Sequence, residues 1–323
     1  MRTARLQASD SLREFAADVR HYFTLRPRQL PSRYFYDDLG STLFEAICRL
    51  PWYPIARAET RLLKAHGGTI LSRCAPLTGL VELGSGSGEK LATLLKSHRA
   101  GIAPLHVHLI DVSAAALDAA GRLLDESGAV RVTAHEASYE NGLEALSRAP
   151  RPPGRLLALF LGSNLGNFDP PGSAEILRRI RAALSPGDAF LLGADLVKPE
   201  REMLLAYDDP LGVTAAFNRN LIVRINRELG GDFDLAAFSH RATWNSGASR
   251  MEMHLISSRR QRVRIARCGL DVVLEEDEPI WTESSYKFDP PGILRILEQA
   301  GFRRVAQWID REAPFALTLV EAL

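Results

Sequence analysis

Apolar positions along the chain change rhythm twice. Over residues 10 to 73 they recur at helical spacing: Leu12, Phe15, Val19 and Phe23 form one stripe with Asp10 and Ser11 as caps ahead of it, and a second helix is predicted around Arg57 to Leu71. Separating the two is an aromatic stretch, Tyr34, Phe35, Tyr36, followed by Pro51, Trp52, Tyr53 and Pro54, predicted as loop because proline flanks the last two rings. Such rings serve either as walls of a ligand pocket or as packing for the N-terminal helices, and position alone leaves the two readings even.

From Gly79 the rhythm shortens. Leu80 to Leu83, Leu105 to Ile110, Val130 to Ala134, Leu156 to Leu161 and Ala189 to Leu192 are predicted buried strands, alternating with helical segments such as Ala114 to Leu124 and Ala174 to Leu184. Strands buried on both faces and separated by helices predict a parallel sheet in a doubly wound, Rossmann-like α/β domain. The Ser185-Pro186-Gly187-Asp188 turn stops the helix before the fifth strand. Near Asp195 the alternation ends. Helical patterns follow over Met203 to Glu228, then strand-like runs at Arg250 to Ser258, Gln261 to Arg267 and Leu270 to Leu274, before a helix at Pro291 to Ala300 and two apolar runs, Arg303 to Ile309 and Phe315 to Val320. We therefore expect a second, smaller α+β lobe made from the N-terminal helices (1–60) and an insertion (196–286), with the main sheet built from 61–195 and completed by 287–323. An insertion placed after a strand lies at the carboxyl edge, where doubly wound sheets bind their ligands.

Composition narrows the function. With 323 residues, 46% of them hydrophobic, the chain can bury one large core and a smaller attached one. Lys+Arg 40 against Asp+Glu 39 leaves a formal charge of +1, too little positive excess to neutralise a phosphate backbone or an anionic membrane. Cys48, Cys74 and Cys268 are far apart and in no metal-ligand spacing, which fits a reducing cytoplasm. The first residues lack the apolar core of a secretory signal, and the longest strongly apolar run, Leu156 to Leu161, is too short to cross a bilayer. No Walker lysine loop, H-E-x-x-H or nucleophile elbow is present. His106 and His108 alternate on a predicted strand, yet no carboxylate or cysteine completes a metal set beside them, so no metal is expected. Arg259, Arg260, Arg262 and Arg264 read as a solvated hairpin face.

The strongest local signal is Val81-Glu82-Leu83-Gly84-Ser85-Gly86-Ser87-Gly88-Glu89-Lys90, which follows the first strand of the sheet and opens a helix. Glycines there let backbone approach a ligand closely. A dinucleotide fingerprint would require glycine where Glu89 stands, and a pyrophosphate would be repelled by that carboxylate, whereas a cationic sulfonium cofactor would not. The next strand ends at Asp111, placed to accept hydrogen bonds from ribose hydroxyls. Asp111 could instead cap the following helix, a task that Ser113 can also perform.

Further segments carry a family pattern. These are Tyr34 to Ser41, Leu50 to Pro54, Glu82 to Lys90, Leu161 to Asn167, Ala206 to Asp209, Gly212 to Asn218, Arg250 to Met253 and Thr282 to Phe288. On them the chain resembles, over nearly its full length, the L-histidine Nα-methyltransferases of ergothioneine biosynthesis, which use S-adenosylmethionine. The resemblance implies that Asn167 and Tyr207 hold the substrate's amino acid end, with Tyr36 near the reacting nitrogen and Gly162 offering backbone there; Tyr36, Asn167 and Tyr207 are the implied catalytic set. It implies Glu283 and Ser285 as partners of the imidazole, walled by Tyr53 and Met253. On the cofactor side it implies Gly84, Gly86, Gly88 and Lys90 in the loop and Asp111 at the ribose. The family usually has an acidic and an aromatic residue at the adenine, where this chain has Ser138 and Tyr139; a serine hydroxyl is a weaker partner than a carboxylate.

The implied reaction is displacement at the sulfonium methyl by the neutral α-amine, repeated three times to a trimethylammonium betaine, with S-adenosylhomocysteine leaving. The implied ligands are L-histidine and its mono- and dimethylated forms, the chain acting as a monomer with neither nucleic acid nor membrane as partner. Two other readings stay open here: a methyltransferase for another amino acid or aromatic amine such as tryptophan, and a non-catalytic S-adenosylmethionine-binding regulator. An apolar ring would favour an apolar floor over Glu283 and Ser285. A regulator has no use for a substrate pocket.

Overall fold

The computed structural model describes residues 3–5, 8–97, 105–125, 130–148 and 153–323. The chain divides into two compact units: 1–5, 54–197 and 286–323 form one, and 6–53 with 198–285 form the other. The segment expected over 1–60 begins with residues 1–2 and 6–7 outside the described ones. Its boundary at 60 would cut the helix Ile55–Arg73, which is one continuous element, so the division falls at Tyr53 and Pro54.

The first unit is an eight-stranded sheet in the order Thr3–Arg5, Val130–Glu136, Leu105–Asp111, Leu77–Leu83, Arg155–Phe160, Ala189–Asp195, Phe315–Ala322, Phe302–Ile309. Strands are parallel as far as Ala189–Asp195, and Phe315–Ala322 runs antiparallel to both of its neighbours. Strand order reverses around Leu77–Leu83, whose carboxyl end therefore opens the crevice of a doubly wound sheet. Every residue of Ala189–Asp195 is buried, as a central strand covered by helices on both faces must be. Phe160, Phe190, Leu192, Ile176 and Ile180 belong to one buried apolar cluster.

In the second unit, Arg28–Gln29, Pro279–Tyr286, Arg250–Ser257 and Phe238–Asn245 form a four-stranded sheet, and Gln261–Ile265 pairs antiparallel with Leu270–Leu274. The first helix of this unit, Ala8–Thr24, starts ahead of Asp10 and Ser11, so these residues lie inside it rather than capping it. The helical pattern over Met203 to Glu228 is two helices, Glu200–Tyr207 and Val213–Leu229. They part because Gly212 takes φ 73 and the Asp209 carboxylate accepts from the N–H groups of Leu211, Val213 and Thr214, satisfying the open end of the second helix. Arg259, Arg260 and Arg262 are paired with Asp234, Glu275 and Asp271 on the exposed surface, which accounts for the basic run without a polyanion. Among the described residues no helix is long and apolar enough to cross a membrane.

Candidate active site

The glycine loop lies between the strand Leu77–Leu83 and the helix Glu89–Leu95. Gly84, Gly86 and Gly88 take φ of 71, 50 and 77, a left-handed conformation that side chains disfavour. A Cβ on Gly88 would stand 2.9 Å from that of Ala120, whereas one on Gly86 would meet nothing within 4 Å. Gly88 is thus fixed by packing, and Gly86 presents bare backbone to open space. Asp111 organises this loop: its Oδ2 accepts from the Gly86 N–H at 3.0 Å and its Oδ1 from the Ser113 N–H at 3.0 Å. Burial raises its pKa against those hydrogen bonds and a further one from the Val112 N–H. The N–H of Ala116 is capped by Ser113 Oγ, so the capping task falls to Ser113.

Tyr139 opens the helix Tyr139–Arg148, and its ring packs edge-on to Phe160 at 5.2 Å between centroids. Its hydroxyl and Asn164 Nδ2 lie 2.9 and 2.5 Å from where a Gly84 Cβ would be, so both border the loop. The Ser138 hydroxyl accepts from the Asn141 N–H at 3.4 Å, at the start of that same helix. Serine here serves the helix terminus, a use the bare motif does not reveal.

Gly162 and Asn167 flank a short turn in the same unit. Gly162 has φ 78 and Ser163 φ 61, Asn164–Asn167 is a 3-10 turn, and Ser163 Oγ accepts from the Asp195 N–H at 2.9 Å. Asp195 in turn pairs with Lys287 at 2.9 Å, both side chains almost fully buried. The Gly162 N–H donates to Glu59 at 2.9 Å to either oxygen, and Lys90 Nζ reaches Glu59 at 2.7 Å. Lys90, assigned to the loop, and Gly162, assigned to the substrate, are thus joined by one acid that motif reading missed. Its signal was present: Glu59 interrupts the buried face formed by Ile55, Ala58, Leu62 and Leu63. Glu82, also buried, has its pKa raised to about 8, chiefly by burial.

The second unit gathers aromatic rings. Phe44 and Phe217 contact Tyr36 edge-on at 5.6 and 5.8 Å, Phe44 reaches Tyr53 at 6.3 Å, and Tyr53 reaches Tyr207 at 6.3 Å. Three of the implied substrate residues therefore share one cluster. Tyr207 ends its helix with the carbonyl accepting from His240 Nε2 at 2.8 Å, while its hydroxyl donates to Ser285 Oγ at 2.8 Å. Because a carbonyl only accepts, His240 carries its proton on Nε2, leaving Nδ1 to accept from Asn218. Glu283 and Ser285 sit two apart on Pro279–Tyr286 and so point to one face of that strand. Met253 is buried on the strand Arg250–Ser257, its carbonyl accepting from Thr282 Oγ1 at 2.9 Å.

Other family segments prove to be scaffold. Asp37 caps the helix Asp38–Arg49 through the Gly40 N–H and also accepts from Asn220 and Arg227; burial opposes its charge, but these donors hold its pKa below the usual range. A Cβ on Gly40 would fall 1.6 Å from the Phe35 carbonyl oxygen. His108 Nδ1 lies 3.0 Å from His135 Nε2, and burial drives both below the usual histidine range, His108 to about 4. Among the described residues no group of three or more potential ligands surrounds a metal position.

A family model described as histidine-specific methyltransferase, SAM-dependent, matches residues 15–322. The chain is 41% identical over 318 residues to the histidine N-alpha-methyltransferase of Mycolicibacterium smegmatis, covering 98% of each chain. It is 42% identical over 294 residues to the protein of that name from Mycobacterium tuberculosis, covering 91% of this chain and 90% of that one. Among solved structures, the magnesium protoporphyrin IX methyltransferase of Synechocystis, with bound SAH, is 10% identical, with a TM-score of 0.48 over 90% of this chain and 98% of that one.

Proposed function

The chain belongs to the histidine-specific, S-adenosylmethionine-dependent methyltransferases, and from that premise we propose that it methylates the α-amino nitrogen of L-histidine three times, giving the betaine that enters ergothioneine biosynthesis. The observation that carries this is 41% identity to a histidine N-alpha-methyltransferase over 98% of both chains. The loop suits the cofactor: Gly86 offers open backbone, and Asp111 stands as a carboxylate at the end of the strand Leu105–Asp111 beside it. When bound, S-adenosylmethionine supplies an electrophilic methyl group on a positively charged sulfur.

The residues' task is then alignment, because an amine displacing a methyl needs its lone pair held in line. S-adenosylhomocysteine leaves at each transfer, and the ammonium formed by each of the first two gives a proton to solvent before the next. Asn167 holds the substrate carboxylate through its amide N–H and the amine through its carbonyl. Tyr36 and Tyr207 orient that amine while leaving its lone pair free. Tyr207 suits this work because its position is fixed twice, by His240 on the backbone and by Ser285 on the hydroxyl. Glu283 accepts the imidazole N–H, with Ser285 beside it and Tyr53 and Met253 as walls. Gly84, Gly88, Lys90 and Tyr139 complete the cofactor side, and Ser138 contributes through the helix it starts. We take the working form to be a monomer in a reducing cytoplasm, with no nucleic acid or membrane partner.

The test is mass spectrometry of the purified protein incubated with S-adenosylmethionine and each amino acid in turn. The expected product is heavier by three methyl groups and arises from histidine. Methylation of tryptophan in its place, or no methylation at all, would overturn the reading.

A further inference from the structure

The sheet unit buries one acid that the roles above leave unused. Glu59 has no exposed surface, although it stands in the apolar stripe of the helix Ile55–Arg73. A carboxylate taken out of water is strongly disfavoured unless charge and hydrogen bonds compensate it, and an apolar residue would anchor this helix at less cost. Three other segments are shaped around it. Lys90 brings its ammonium to 2.7 Å, and the Gly162 N–H is 2.9 Å from both oxygens. On the fully buried strand Ala189–Asp195, Gly193 makes room, since a Cβ there would lie 2.0 Å from Glu59 Oε1. A Cβ on Gly162 would likewise lie 2.8 Å from Lys90 Nζ, so glycine at 162 lets ammonium and N–H share one carboxylate.

We propose that Glu59 is a positioning residue for methyl transfer: by holding the Lys90 ammonium and the Gly162 N–H on one carboxylate, it sets the register between the cofactor helix and the Gly162 to Asn167 segment. The carboxylate also balances the Lys90 charge where a sulfonium is bound and a quaternary ammonium is made. This rests on the methyltransferase reading above. It adds to that reading a link from the cofactor's position to that of Asn167, made by an acid that touches neither ligand.

The test uses the full chain with Glu59→Gln, Lys90→Met and the double variant. Glutamine keeps an oxygen for the Gly162 N–H and removes the charge facing Lys90. By calorimetry, Glu59→Gln weakens S-adenosylhomocysteine binding about tenfold, the scale of a lost charge-assisted hydrogen bond. It also lowers kcat at saturation by about tenfold or more, while KM for histidine moves less than about threefold. In a Lys90→Met background the same substitution changes either quantity by less than about twofold, because Glu59 acts through Lys90. The proposal falls if Glu59→Gln leaves cofactor affinity and kcat within about twofold of the parent, or if it costs as much without Lys90 as with it. If Glu59→Gln alone does not fold, Lys90→Met against the double variant still decides: a further loss of about tenfold or more from Glu59→Gln in that background overturns the proposal. A parent protein that leaves histidine unmodified would sink the functional reading instead, and the calorimetry would still decide the role of Glu59.

Discussion

The sheet unit and the smaller unit hold their functional groups by different means. In the first, the groups proposed for recognition are mostly backbone: three glycines in left-handed conformation, with N–H groups tied to Asp111 and Glu59. In the second the proposed groups are side chains: Tyr36, Tyr53 and Tyr207 in one aromatic cluster, with hydroxyl and carboxylate groups on the strand Pro279–Tyr286. The difference teaches which half can change its ligand. Backbone recognition tolerates almost no substitution, since any Cβ disturbs it, whereas a side-chain pocket can be altered one residue at a time.

Asn167 is the exception, a side chain assigned to the substrate but carried by the sheet unit, and it offers the largest effect. Asn167→Ala should lower kcat/KM for histidine about 100-fold or more while cofactor affinity stays within about threefold, as expected for a group that acts in alignment. Turnover close to the parent's would remove it from the mechanism. Gly40 tests the other half, being a glycine required by packing in a unit that otherwise works through side chains. Gly40→Ala should destabilise the protein by about 2–3 kcal/mol in urea titration, because its Cβ has nowhere to go and backbone must shift. An unchanged urea midpoint would show that the contact with Phe35 relaxes easily.

Glu283→Ala sharpens the comparison directly. Loss of an acceptor for the imidazole N–H should reduce discrimination for histidine over other amino acids about tenfold, with S-adenosylhomocysteine binding unaltered. Equal losses in both would place Glu283 in the scaffold. The smallest effect is one the two units share. Burial lowers the pKa of His108 and His135 in one unit and of His240 and His254 in the other. As pH falls, the unfolded chain therefore takes up protons first; the stability these neutral rings contribute is present above the ordinary value of 6.5 and is lost toward the value of about 4 reached by His108. Because the raised pKa values of Glu82 and Asp111 act with the opposite sign, the check is the difference between proteins: relative to the parent, the thermal midpoint of His108→Gln should improve as pH falls from 7.5 to 5. A difference that stayed constant or moved the other way over that interval would contradict the sign.

Much of the sheet was legible because its signals are local. A strand buried on both faces is a run of apolar residues, as at Leu156 to Leu161, and a phosphate-free glycine loop followed by an acid is readable within thirty positions or so. The strands Phe238–Asn245 and Pro279–Tyr286 escaped notice for the opposite reason. Each is partly exposed and carries residues such as His240, Arg241, Glu283 and Ser284, which no apolar alternation betrays. Ser138 shows a third case, where a polar residue at the expected place spends its hydroxyl on a helix end.

By itself the sequence determined the doubly wound sheet, the place of the glycine loop, and, through its family segments, membership of the histidine-specific methyltransferases. These follow from periodicity and from short motifs, which act over one turn or one strand. Only the tertiary structure decided that Lys90 and Gly162 meet on Glu59, that Tyr207 is fixed by His240 and Ser285, and that Lys287 neutralises Asp195 inside the core. Each of those pairings joins positions far apart in the chain. No local pattern specifies them, because the energy of a buried charge depends on which distant partner packing brings to it.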